Sequence, residues 1–487
     1  MRAVLAIDQG TTGTTALLVG PDQRILASHN VEFPNHYPSP GLVEHDVAQI
    51  ATSVEQAVAG AFAASGLTGR DVVAVGITNQ RETCLFWDGA TGRPLQRALV
   101  WQDRRTADAC AALRDQGLET LVRDRTGLVL DPYFSGTKAK WMLDAHPGAR
   151  SRAAAGALRF GTIDTWLAWT LTGEHVTDAS NASRTLFYDL HTRDWSDALL
   201  ALLDVPKPCL PRIVDSSGVF GHTKGVGWLP DGIPVAGLIG DQQGALFGQA
   251  CFAVGEAKCT YGTGAFILLN TGDTPKASRH GLLTTVAWQR AGRTTYALEG
   301  SAFVAGAAVQ WLRDGLGIVR TAAEIEPLAA SVPDSAGVTF VPALTGLGAP
   351  HWRPDARGIV TGLTRGTTAA HLARAALDGI ALQIDDILGA MTADLGQPLT
   401  RLRVDGGAAR NNLLMQRQAD LLGVGIDRPV SVETTGLGSA LLAGLAVGFF
   451  PSMDALRAGH DRSFEPAGDA SEMAATRARW QDAVAKA

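Results

Sequence analysis

The chain has 487 residues, of which 46% are hydrophobic and 18% are charged, so it has the length of two or three globular domains and is too apolar for a disordered protein. Its formal net charge of -6 argues against a nucleic-acid or membrane-surface protein, because such proteins bind phosphates through an excess of lysine and arginine. The five cysteines are far apart and form no CxxC pair, which argues against a disulfide framework or a zinc site and favours a reducing cytoplasm.

The first half begins with a predicted hairpin in the segment VLAIDQGTTGTTALLV, residues 4–19. An apolar strand ends on Asp8, the chain turns through glycine and threonine, and a second apolar strand follows. The apolar run before Asp8 is too short for a signal peptide, so we expect a soluble, cytoplasmic protein. The elements predicted for this half are strands at 4–8, 14–19 and 24–33, a helix after Asp46 with a 3.6-residue apolar period, and a strand at 72–78.

The middle of the chain contains the expected domain boundary. Residues 206–234 are rich in proline and glycine and show little periodicity, which predicts a surface connection. The apolar segment that follows, IPVAGLIG, predicts a buried strand that ends on Asp241 and leads into a helix. We place the boundary near residue 245, so Asp241 is expected beside the crevice between the domains.

The second half repeats the element order of the first. Its predicted elements are strands at 256–261, 264–270, 281–289 and 293–298, a helix at 303–316, a strand at 338–342, and a polar surface helix after 468. A βββαβ order that occurs twice indicates duplicated α/β domains. The apolar helix candidate at 439–450 is too short to span a bilayer, which needs ~20 residues, so no membrane insertion is expected.

The two hairpins share a glycine-threonine turn, from Gly10 to Gly13 and from Gly262 to Gly264. Such a turn exposes backbone N–H groups and hydroxyls with little side-chain bulk, which suits polyphosphate oxygens, and a carboxylate beside it suits Mg2+. A single turn of this kind usually only reverses a chain. The matched pair predicts a nucleotide held between two hairpins across a cleft.

Acidic residues follow several predicted strands, where α/β proteins place their ligands. They are Asp8, Glu82, Asp241 and Asp405. The alternative interpretation of Asp241 is a helix N-cap. Gly407, in the turn after Asp405, would admit a flat ligand near the N-terminus of the following helix.

Arg81 and Glu82 place a donor beside an acceptor, and the two together can bracket one substrate hydroxyl. Trp101, Tyr133 and Phe266 can supply apolar walls, a combination that suits a small polyol. The alternative is a surface ion pair that contributes ~0–1 kcal/mol to stability. The chain has no GxxxxGK[ST] and no strand followed by GxGxxG, which excludes a P-loop NTPase and a Rossmann dinucleotide site.

A series of ordered motifs over nearly the full length resembles the FGGY carbohydrate kinases, within the actin, hexokinase and heat-shock-chaperone ATPase superfamily. The motifs are DQGTTG at Asp8, PGLVEHD at Pro40, GITNQRET at Gly76, VWQDRRT at Val100, GLVLDPYFSGTK at Gly127, TDASNASRT at Thr177, GDQQGALFGQ at Gly240, YGTGAF at Tyr261, TGLGAPHW at Thr345 and RVDGGAARNN at Arg403. Within the family, the likeness is greatest to members that phosphorylate glycerol.

The resemblance implies an α/β fold of two duplicated ribonuclease H-like (actin-like ATPase) domains with an interdomain cleft. Residues 1–245 would form the glycerol-binding N-terminal domain, and residues 246–487 the nucleotide-binding C-terminal domain. The implied reaction transfers a phosphoryl group from ATP, with Mg2+, to glycerol and gives sn-glycerol 3-phosphate in glycerol catabolism. A homo-oligomer, dimeric or tetrameric, is compatible with the sequence, which does not fix the oligomeric state.

The resemblance also assigns residues to the site. The implied glycerol pocket consists of Arg81, Glu82, Trp101, Tyr133, Asp241, Gln242 and Phe266. The implied nucleotide site consists of Thr11, Thr12, Gly13, Thr263, Gly306, Gln310, Gly407 and Asn411. Asp241 would be the catalytic base, and Asp8 and Asp241 would lie at the metal.

Two positions depart from the family pattern. Members that phosphorylate glycerol commonly have an arginine where this chain has Thr15, so one cationic contact to the nucleotide is missing. Some bacterial members have a Gly-Gly-Lys-Gly-Gly loop and a nearby arginine that bind fructose 1,6-bisphosphate, whereas the corresponding stretch here is TKGVGWLPDGIP. We therefore expect no fructose 1,6-bisphosphate site.

Other functions remain open at this point. The nearest alternative is another polyol or pentulose kinase of the same fold, acting on xylulose, gluconate or erythritol. A different class is a nucleotide switch of the actin or chaperone type, which hydrolyses ATP without a small acceptor. A third alternative is a pseudokinase weakened at Thr15.

Overall fold

The structure, a computed structural model, describes residues 1–431, 433–456 and 459–487. The strands of these residues are, in chain order, β1 (Ala3–Gln9), β2 (Gly13–Val19), β3 (Ile25–Glu32), β4 (Glu44–His45), β5 (Val72–Asn79), β6 (Cys84–Asp88), β7 (Ala98–Leu99), β8 (Leu158–Thr162), β9 (Val176–Asp178), β10 (Tyr188–Asp189), β11 (Asp194–Trp195), β12 (Arg212–Val214), β13 (Ser217–His222), β14 (Pro234–Gly240), β15 (Ala257–Tyr261), β16 (Ala265–Gly272), β17 (Leu283–Arg290), β18 (Arg293–Ala302), β19 (Thr339–Val341), β20 (Ile359–Thr361), β21 (Leu402–Asp405), β22 (Ile426–Pro429) and β23 (His460–Phe464).

The α-helices of the same residues are, in chain order, α1 (Val47–Ser65), α2 (Ala107–Asp115), α3 (Glu119–Thr126), α4 (Ser135–Ala145), α5 (Ala149–Ala154), α6 (Ile163–Thr172), α7 (Ala179–Ala182), α8 (Asp197–Leu202), α9 (Asp241–Gly248), α10 (Gly306–Asp314), α11 (Ile325–Ala330), α12 (Ala369–Leu395), α13 (Asn412–Leu422), α14 (Thr434–Ala446) and α15 (Ala470–Val484). Asp46 caps α1, since its side chain accepts a hydrogen bond from the Ala48 N–H. The apolar face that predicted α1 is buried, including Ile50 and Val54.

A thirteen-stranded sheet runs through both halves of the described chain, in the order β23-β22-β21-β15-β16-β18-β17-β13-β14-β5-β1-β2-β3. In the first half β1 pairs antiparallel with β2 and parallel with β5. In the second half β15 pairs antiparallel with β16 and parallel with β21. The same pairing occurs twice, which confirms the predicted α/β fold of two duplicated domains.

The predicted details of the second repeat were partly wrong. The strand predicted at 338–342 is β19, which pairs with β20 in a separate two-stranded sheet. The position equivalent to β5 is filled by β21, after the long helix α12. Strand β18, not β17, pairs with β16 and so takes the place that β3 has in the first half. The order of elements along the chain did not reveal which strands pair.

The prediction of a surface connection at 206–234 was wrong in part, because β12 and β13 lie there. Strand β13 joins the two halves of the sheet through the pair of Ser217 with Arg290 in β17. Five of the six residues from Ser217 to His222 are at least partly exposed. Such a strand has no continuous apolar run, and its glycines mask the alternation that would predict it.

The two halves also share a hydrophobic core beneath the sheet. Helix α14 comes late in the chain but packs on β5 and β14 of the first half and on α9. One core cluster contains Val4 and Ala236 from the first half together with Leu268 and Ala440 from the second. The halves are therefore joined by packing as well as by the sheet.

Helices α9 and α14 cross with their backbones in contact. A Cβ atom added to Gly438 would lie 2.0 Å from the Gly244 carbonyl oxygen, and one added to Gly248 would lie 2.0 Å from the Thr434 carbonyl oxygen. Glycine is required at this crossing because any side chain would overlap the facing helix. The crossing fixes the position of α9, which begins at Asp241.

The cysteines, the lengths of the helices and the C-terminal helix each bear on a prediction from the sequence. All five cysteines are free and buried. In the described residues, no helix combines the length and the apolar character that a membrane span requires. The predicted polar tail helix is α15, and its Met473 and Trp480 are buried in the core of the second half.

Candidate active site

Three of the predicted residues lie at one edge of the sheet. Strands β5 and β14 are parallel neighbours, with Asn79 opposite Gly240, and the carboxyl ends of parallel strands meet at the same edge. Arg81 and Glu82 follow β5, and Asp241 follows β14 as the first residue of α9. The Arg81 Nε atom lies 3.3 Å from Asp241 Oδ1. The Asp241 side chain is 29% exposed against 2% for Arg81, so the carboxylate can be reached from solvent and the guanidinium is buried.

The alternatives considered for these residues do not hold. The N-cap of α9 is Gly240 rather than Asp241. Arg81 and Glu82 are both buried, with Nε and Oε1 3.9 Å apart, so they are not a surface ion pair. A buried pair costs desolvation free energy, which a solvent-exposed pair would not.

The backbone at Glu82 has a conformation that is uncommon for a side chain other than glycine. Its φ is 61°. A tight turn forms around it, since the Thr83 N–H donates to the Arg81 carbonyl over 2.7 Å. The Ser135 hydroxyl donates to the Glu82 carbonyl oxygen over 2.8 Å. Non-glycine residues in this region cost on the order of 1–3 kcal/mol and cluster at functional sites.

Two residues that the sequence did not single out complete this part of the site, Arg184 and Glu299. Glu299 accepts hydrogen bonds from Arg81 Nη1 at 2.5 Å, from Arg81 Nη2 at 3.0 Å and from Arg184 Nη2 at 2.9 Å. Arg184 Nε donates to Glu82 Oε1 at 2.6 Å. We call Arg81, Glu82, Arg184 and Glu299 the charge ring. All four side chains are at most 2% exposed.

Opposite charges alternate around the charge ring, and they act on the two glutamates differently. Burial opposes the ionisation of Glu299, but Arg184 and Arg81 together outweigh it and lower its pKa to about 2. Burial raises the pKa of Glu82, against the lowering influence of Arg184 and Arg81. Glu299 is thus the firmly ionised member of the ring, because both guanidinium groups bond to it directly.

Aromatic side chains form one wall beside the charge ring. The rings of Trp101 and Tyr133 meet edge to face with centroids 5.5 Å apart. The Tyr133 hydroxyl accepts a hydrogen bond from Arg81 Nη2 at 3.4 Å. Trp101 Nε1 donates to Thr11 Oγ1 at 2.9 Å. The predicted aromatic wall therefore contacts both the buried arginine and the first glycine-threonine turn.

A buried lysine connects the remaining predicted pocket residues. Lys258 in β15 donates to Gln242 Oε1 at 2.5 Å, to Thr260 Oγ1 at 2.9 Å and to the Phe266 carbonyl oxygen at 3.4 Å. Burial lowers its pKa, while Asp405 and Asp241 act in the opposite direction. The sequence analysis missed Lys258, although a lysine within an apolar strand is a signal that it needs partners.

The two glycine-threonine turns have the expected form. In the first, Gly10 N–H donates to the Gly13 carbonyl at 2.9 Å, and Thr12 is exposed. In the second, Gly262 N–H donates to the Gly264 carbonyl at 2.8 Å, and Thr263 is exposed. Hydroxyls and backbone donors at both turns are accessible to an anionic ligand.

The start of α10 packs directly on the second turn. Gly306 N–H donates to the Gly262 carbonyl at 3.0 Å, and Ala305 and Ala307 donate to the Thr263 carbonyl. A Cβ atom on Gly306 would lie 2.6 Å from the Gly262 carbonyl oxygen, so glycine is needed there. The structure thus brings together Thr263 and Gly306, and Gln310 is exposed one turn further along α10.

Two adjacent glycines in the turn after β21, Gly406 and Gly407, have different surroundings. Gly406 has a φ of 86°, and a Cβ atom there would lie 2.5 Å from the Tyr261 carbonyl oxygen. Gly407 is exposed, and a Cβ atom there would meet no atom within 4 Å. Asn411 is the N-cap of α13, since its Oδ1 accepts from the Leu414 N–H at 2.9 Å. A nucleotide contact by Asn411 would use its Nδ2 donor.

Asp8 lies close enough to Asp241 for the two carboxyl groups to interact electrostatically. Burial raises its pKa well above the ordinary value, and the nearby charges of Asp241 and then Glu433 add to this effect. A divalent cation would relieve the repulsion among these carboxylates. No group of three histidine, cysteine, aspartate or glutamate side chains among the described residues could hold a metal alone. Mg2+ bound here would complete its coordination with oxygen ligands from outside the protein, from water or from phosphate.

Thr15, the position where an arginine was expected, is bonded within its own sheet. Asn30 Nδ2 in β3 donates to Thr15 Oγ1 at 2.9 Å. Thr15 lies opposite Asp8 in the β1–β2 register. The pair of Thr15 and Asn30 next to Asp8 is therefore uncharged.

Two family models match the chain. The model of the N-terminal domain of the FGGY family of carbohydrate kinases matches residues 3–248, and that of the C-terminal domain matches residues 257–447. A glycerol kinase of Myxococcus xanthus is 56% identical and covers 100% of this chain and 99% of its own length. A glycerol kinase of Alkalilimnicola ehrlichii is 55% identical and covers 100% of this chain and 98% of its own length.

Solved structures agree with these matches. The crystal structure of Plasmodium falciparum glycerol kinase with ADP is 34% identical, with a TM-score of 0.93, and covers 100% of this chain and 98% of its own. A xylulose kinase of Rhodospirillum rubrum is 24% identical, with a TM-score of 0.86, and covers 99% of this chain and 97% of its own. The second likeness bears on the fold alone.

Proposed function

Because the chain belongs to the FGGY family of carbohydrate kinases, we propose that it is a kinase that transfers the γ-phosphoryl group of ATP to a terminal hydroxyl of glycerol. The products are sn-glycerol 3-phosphate and ADP, formed in the cytoplasm. The full-length similarity to several glycerol kinases supports this substrate. The observation that carries the proposal is the 3.3 Å approach of the Arg81 guanidinium to Asp241, the accessible carboxylate at the edge of the sheet.

The pocket has the chemistry that a three-carbon polyol requires. Arg81 can donate to one hydroxyl and Glu82 can accept from another, while Trp101 and Tyr133 can pack against the C–H face. The Gln242 side chain and the Phe266 backbone carbonyl oxygen both accept hydrogen bonds from Lys258, which supports the proposal that these two residues border the pocket. A longer sugar would need further polar partners for its additional hydroxyls.

Asp241 is the proposed general base. Its carboxylate would accept the proton of the attacking hydroxyl as the oxygen bonds to phosphorus and the bond to the ADP oxygen breaks. The Nε of Arg81, 3.3 Å from Asp241 Oδ1, would orient the carboxylate. Most of the rate enhancement in such a transfer comes from positioning and electrostatics.

The nucleotide would be held by both turns. Thr11, Thr12 and Gly13 would contact phosphate oxygens from one side and Thr263 from the other. Gly407 offers an open surface for the adenine, and Gly306, Gln310 and Asn411 would lie along the nucleoside. Asp8 and Asp241 would hold Mg2+, whose positive charge would offset that of the phosphate oxygens.

The test is ADP release from ATP and Mg2+ with a panel of glycerol, dihydroxyacetone, erythritol, xylulose and gluconate. We expect the highest kcat/KM with glycerol, with glycerol 3-phosphate as the product. A higher value with xylulose or gluconate would assign the chain to another kinase of the same fold. ATP hydrolysis that no polyol changes would instead identify a nucleotide switch.

A further inference from the structure

The charge ring contains two residues that are not among the proposed substrate contacts. Glu299 lies in β18 of the second half of the chain, and Arg184 follows α7 of the first half. Neither side chain is more than 1% exposed. Each bonds to one of the two residues proposed to bind the polyol hydroxyls, Arg81 and Glu82.

Glu299 is the charged partner that orients the terminal nitrogens of Arg81, which also donate to Gln243 Oε1 at 3.2 Å and to the Tyr133 hydroxyl at 3.4 Å. It accepts from both terminal nitrogens of Arg81, which leaves Nε directed to Asp241 at 3.3 Å. Without Glu299, the terminal nitrogens of Arg81 would have no carboxylate partner. The nearest remaining carboxylate would be that of Asp241, which already faces the Nε of Arg81. A two-nitrogen pair between Arg81 and Asp241 would then compete with the substrate for both groups.

Arg184 has the corresponding effect on Glu82. Its Nε bonds to Glu82 Oε1 and its Nη2 bonds to Glu299. Glu82 also has the left-handed backbone conformation, so an unsupported side chain would be free to relax away from the pocket. The Arg184 guanidinium lies over the ring of Phe134 at 5.2 Å, which fixes its own orientation.

We propose that Arg184 and Glu299 are positioning residues that hold Arg81 and Glu82 in the orientation required for polyol recognition. The inference rests on the proposed function, because it presumes that Arg81 and Glu82 bind the polyol. A role in stability alone explains the charge ring poorly, since apolar residues of similar volume are often as stable as a buried ion network or more so.

The central experiment compares Glu299→Gln with wild type in steady-state kinetics and in calorimetric titration of the polyol. We expect the KM and Kd for the polyol to rise about 10-fold or more, because a buried charge-assisted contact is lost. The KM for ATP is expected to stay within about 3-fold, since the altered contacts lie on the polyol side. Unchanged polyol affinity, or equal changes for polyol and ATP, would overturn the proposal.

A matched control removes a buried ion pair elsewhere. Asp378 in α12 accepts from Arg417 Nε at 2.9 Å, and both side chains are less than 10% exposed. Asp378→Asn is expected to lower Tm as Glu299→Gln does, but to leave the polyol KM unchanged. A rise in polyol KM in both variants would show that lost stability, not positioning, causes the effect.

Conservative variants keep the proposal testable if Glu299→Gln does not fold. Glu299→Asp and Arg184→Lys retain their charges but shorten or simplify the contacts, so we expect a smaller rise in polyol KM than for full charge removal. Wild-type polyol affinity in both would overturn the proposal. All assays use the polyol that wild type prefers in the panel, so an error in the identity of the substrate is distinguished from an error in the positioning role.

Discussion

Asp241 differs from its charged neighbours in its access to solvent. Its side chain is 29% exposed, whereas Arg81 and Glu299 are almost completely buried. A group that takes a proton from a substrate must reach that substrate. Glu299, which bonds to Arg81 and Arg184, acts on the substrate only through the orientation of these residues and through its electric field.

The first prediction concerns Asp241→Asn. We expect kcat to fall by about 10²- to 10⁴-fold, because the amide cannot accept the hydroxyl proton. The KM for ATP should change little. Steady-state ADP release measures both quantities. Turnover near that of wild type would rule out Asp241 as the general base.

Asp164 predicts a pH dependence of stability. Burial, together with Asp178, raises its pKa from 3.8 to about 7. Between these values the folded protein binds a proton that the unfolded chain has lost, so the free energy of unfolding decreases as pH rises, by up to about 1.4 kcal/mol per pH unit.

In Asp164→Asn this contribution disappears, because an amide does not titrate. Urea unfolding of both proteins at pH 5 and pH 8 should show that wild type loses more stability over this range than the variant. The quantity to compare is the change in the free energy of unfolding between pH 5 and pH 8. The absolute values are not compared, because the amide of the variant also accepts hydrogen bonds from Thr162 and Thr177 less strongly. If the free energy of unfolding changed equally between pH 5 and pH 8 in both proteins, the pKa of about 7 for Asp164 would be contradicted.

Some of the site follows from sequence and some does not. Arg81, Glu82 and Asp241 could be predicted because each follows a recognisable apolar strand, and strand ends are where such folds bind ligands. Glu299 could not, because its partner Arg81 is 218 residues away and the contact depends on which strands become neighbours. Arg184 belongs to the motif TDASNASRT, but only the fold shows that its side chain bonds to Glu82.

At the level of elements, the crossing of α9 and α14 carries a requirement that sequence periodicity does not show. Glycine within a helix normally lowers stability. Here Gly244, Gly248 and Gly438 permit backbone contact between the helix that begins at Asp241 and one from the other half.

Gly438→Ala is therefore expected to destabilise the protein by ~1–3 kcal/mol, the usual cost of overpacking a core, and to lower kcat by displacing α9. The control is Gly389→Ala in α12, where the position is exposed and a Cβ atom meets nothing within 4 Å. Alanine there should stabilise by ~0.5–1 kcal/mol. Thermal unfolding measures the stability of both variants, and ADP release measures their kcat. Equal changes in Tm and kcat for the two variants would show that glycine is not required where α9 and α14 cross.

The stretch between β13 and β14 lacks the Gly-Gly-Lys-Gly-Gly sequence, and we predict that fructose 1,6-bisphosphate does not act on this protein. In this stretch the Gly225 N–H donates to Asp231 Oδ1 at 2.7 Å, so this backbone donor already has a carboxylate partner. We expect kcat and KM to be unchanged by millimolar fructose 1,6-bisphosphate. A bacterial member with the Gly-Gly-Lys-Gly-Gly loop is the positive control, and a clear drop in activity here would show a site of different construction.

The elements that were predicted well have strong local patterns. Helix α1 has a 3.6-residue apolar period and a capping aspartate, and the hairpin strands are continuous apolar runs. Strand β13 and the pairing of β21 with β15 were missed, because they depend on contacts with distant strands rather than on their own sequence.

For the whole molecule, the shared core and the continuous sheet couple the two halves. Helix α14 of the second half completes the packing of strands β5 and β14 of the first. We expect calorimetry to show a single unfolding transition with equal calorimetric and van't Hoff enthalpies. Two resolved transitions would indicate that the halves are stable independently.

All five thiols are buried, so a reagent can reach them only when the structure around them opens. The rate at which they react therefore reports local opening of the protein. Burial raises the pKa of Cys84 and Cys251 to about 12, which suppresses the thiolate form that alkylating reagents attack. Cys84 begins β6, two residues after Glu82, and Cys251 follows α9, so the rate at which each is labelled would measure how often that region opens. A substrate that holds the two halves of the chain together should lower the rate at which both cysteines are alkylated. No engineered label is needed for this measurement.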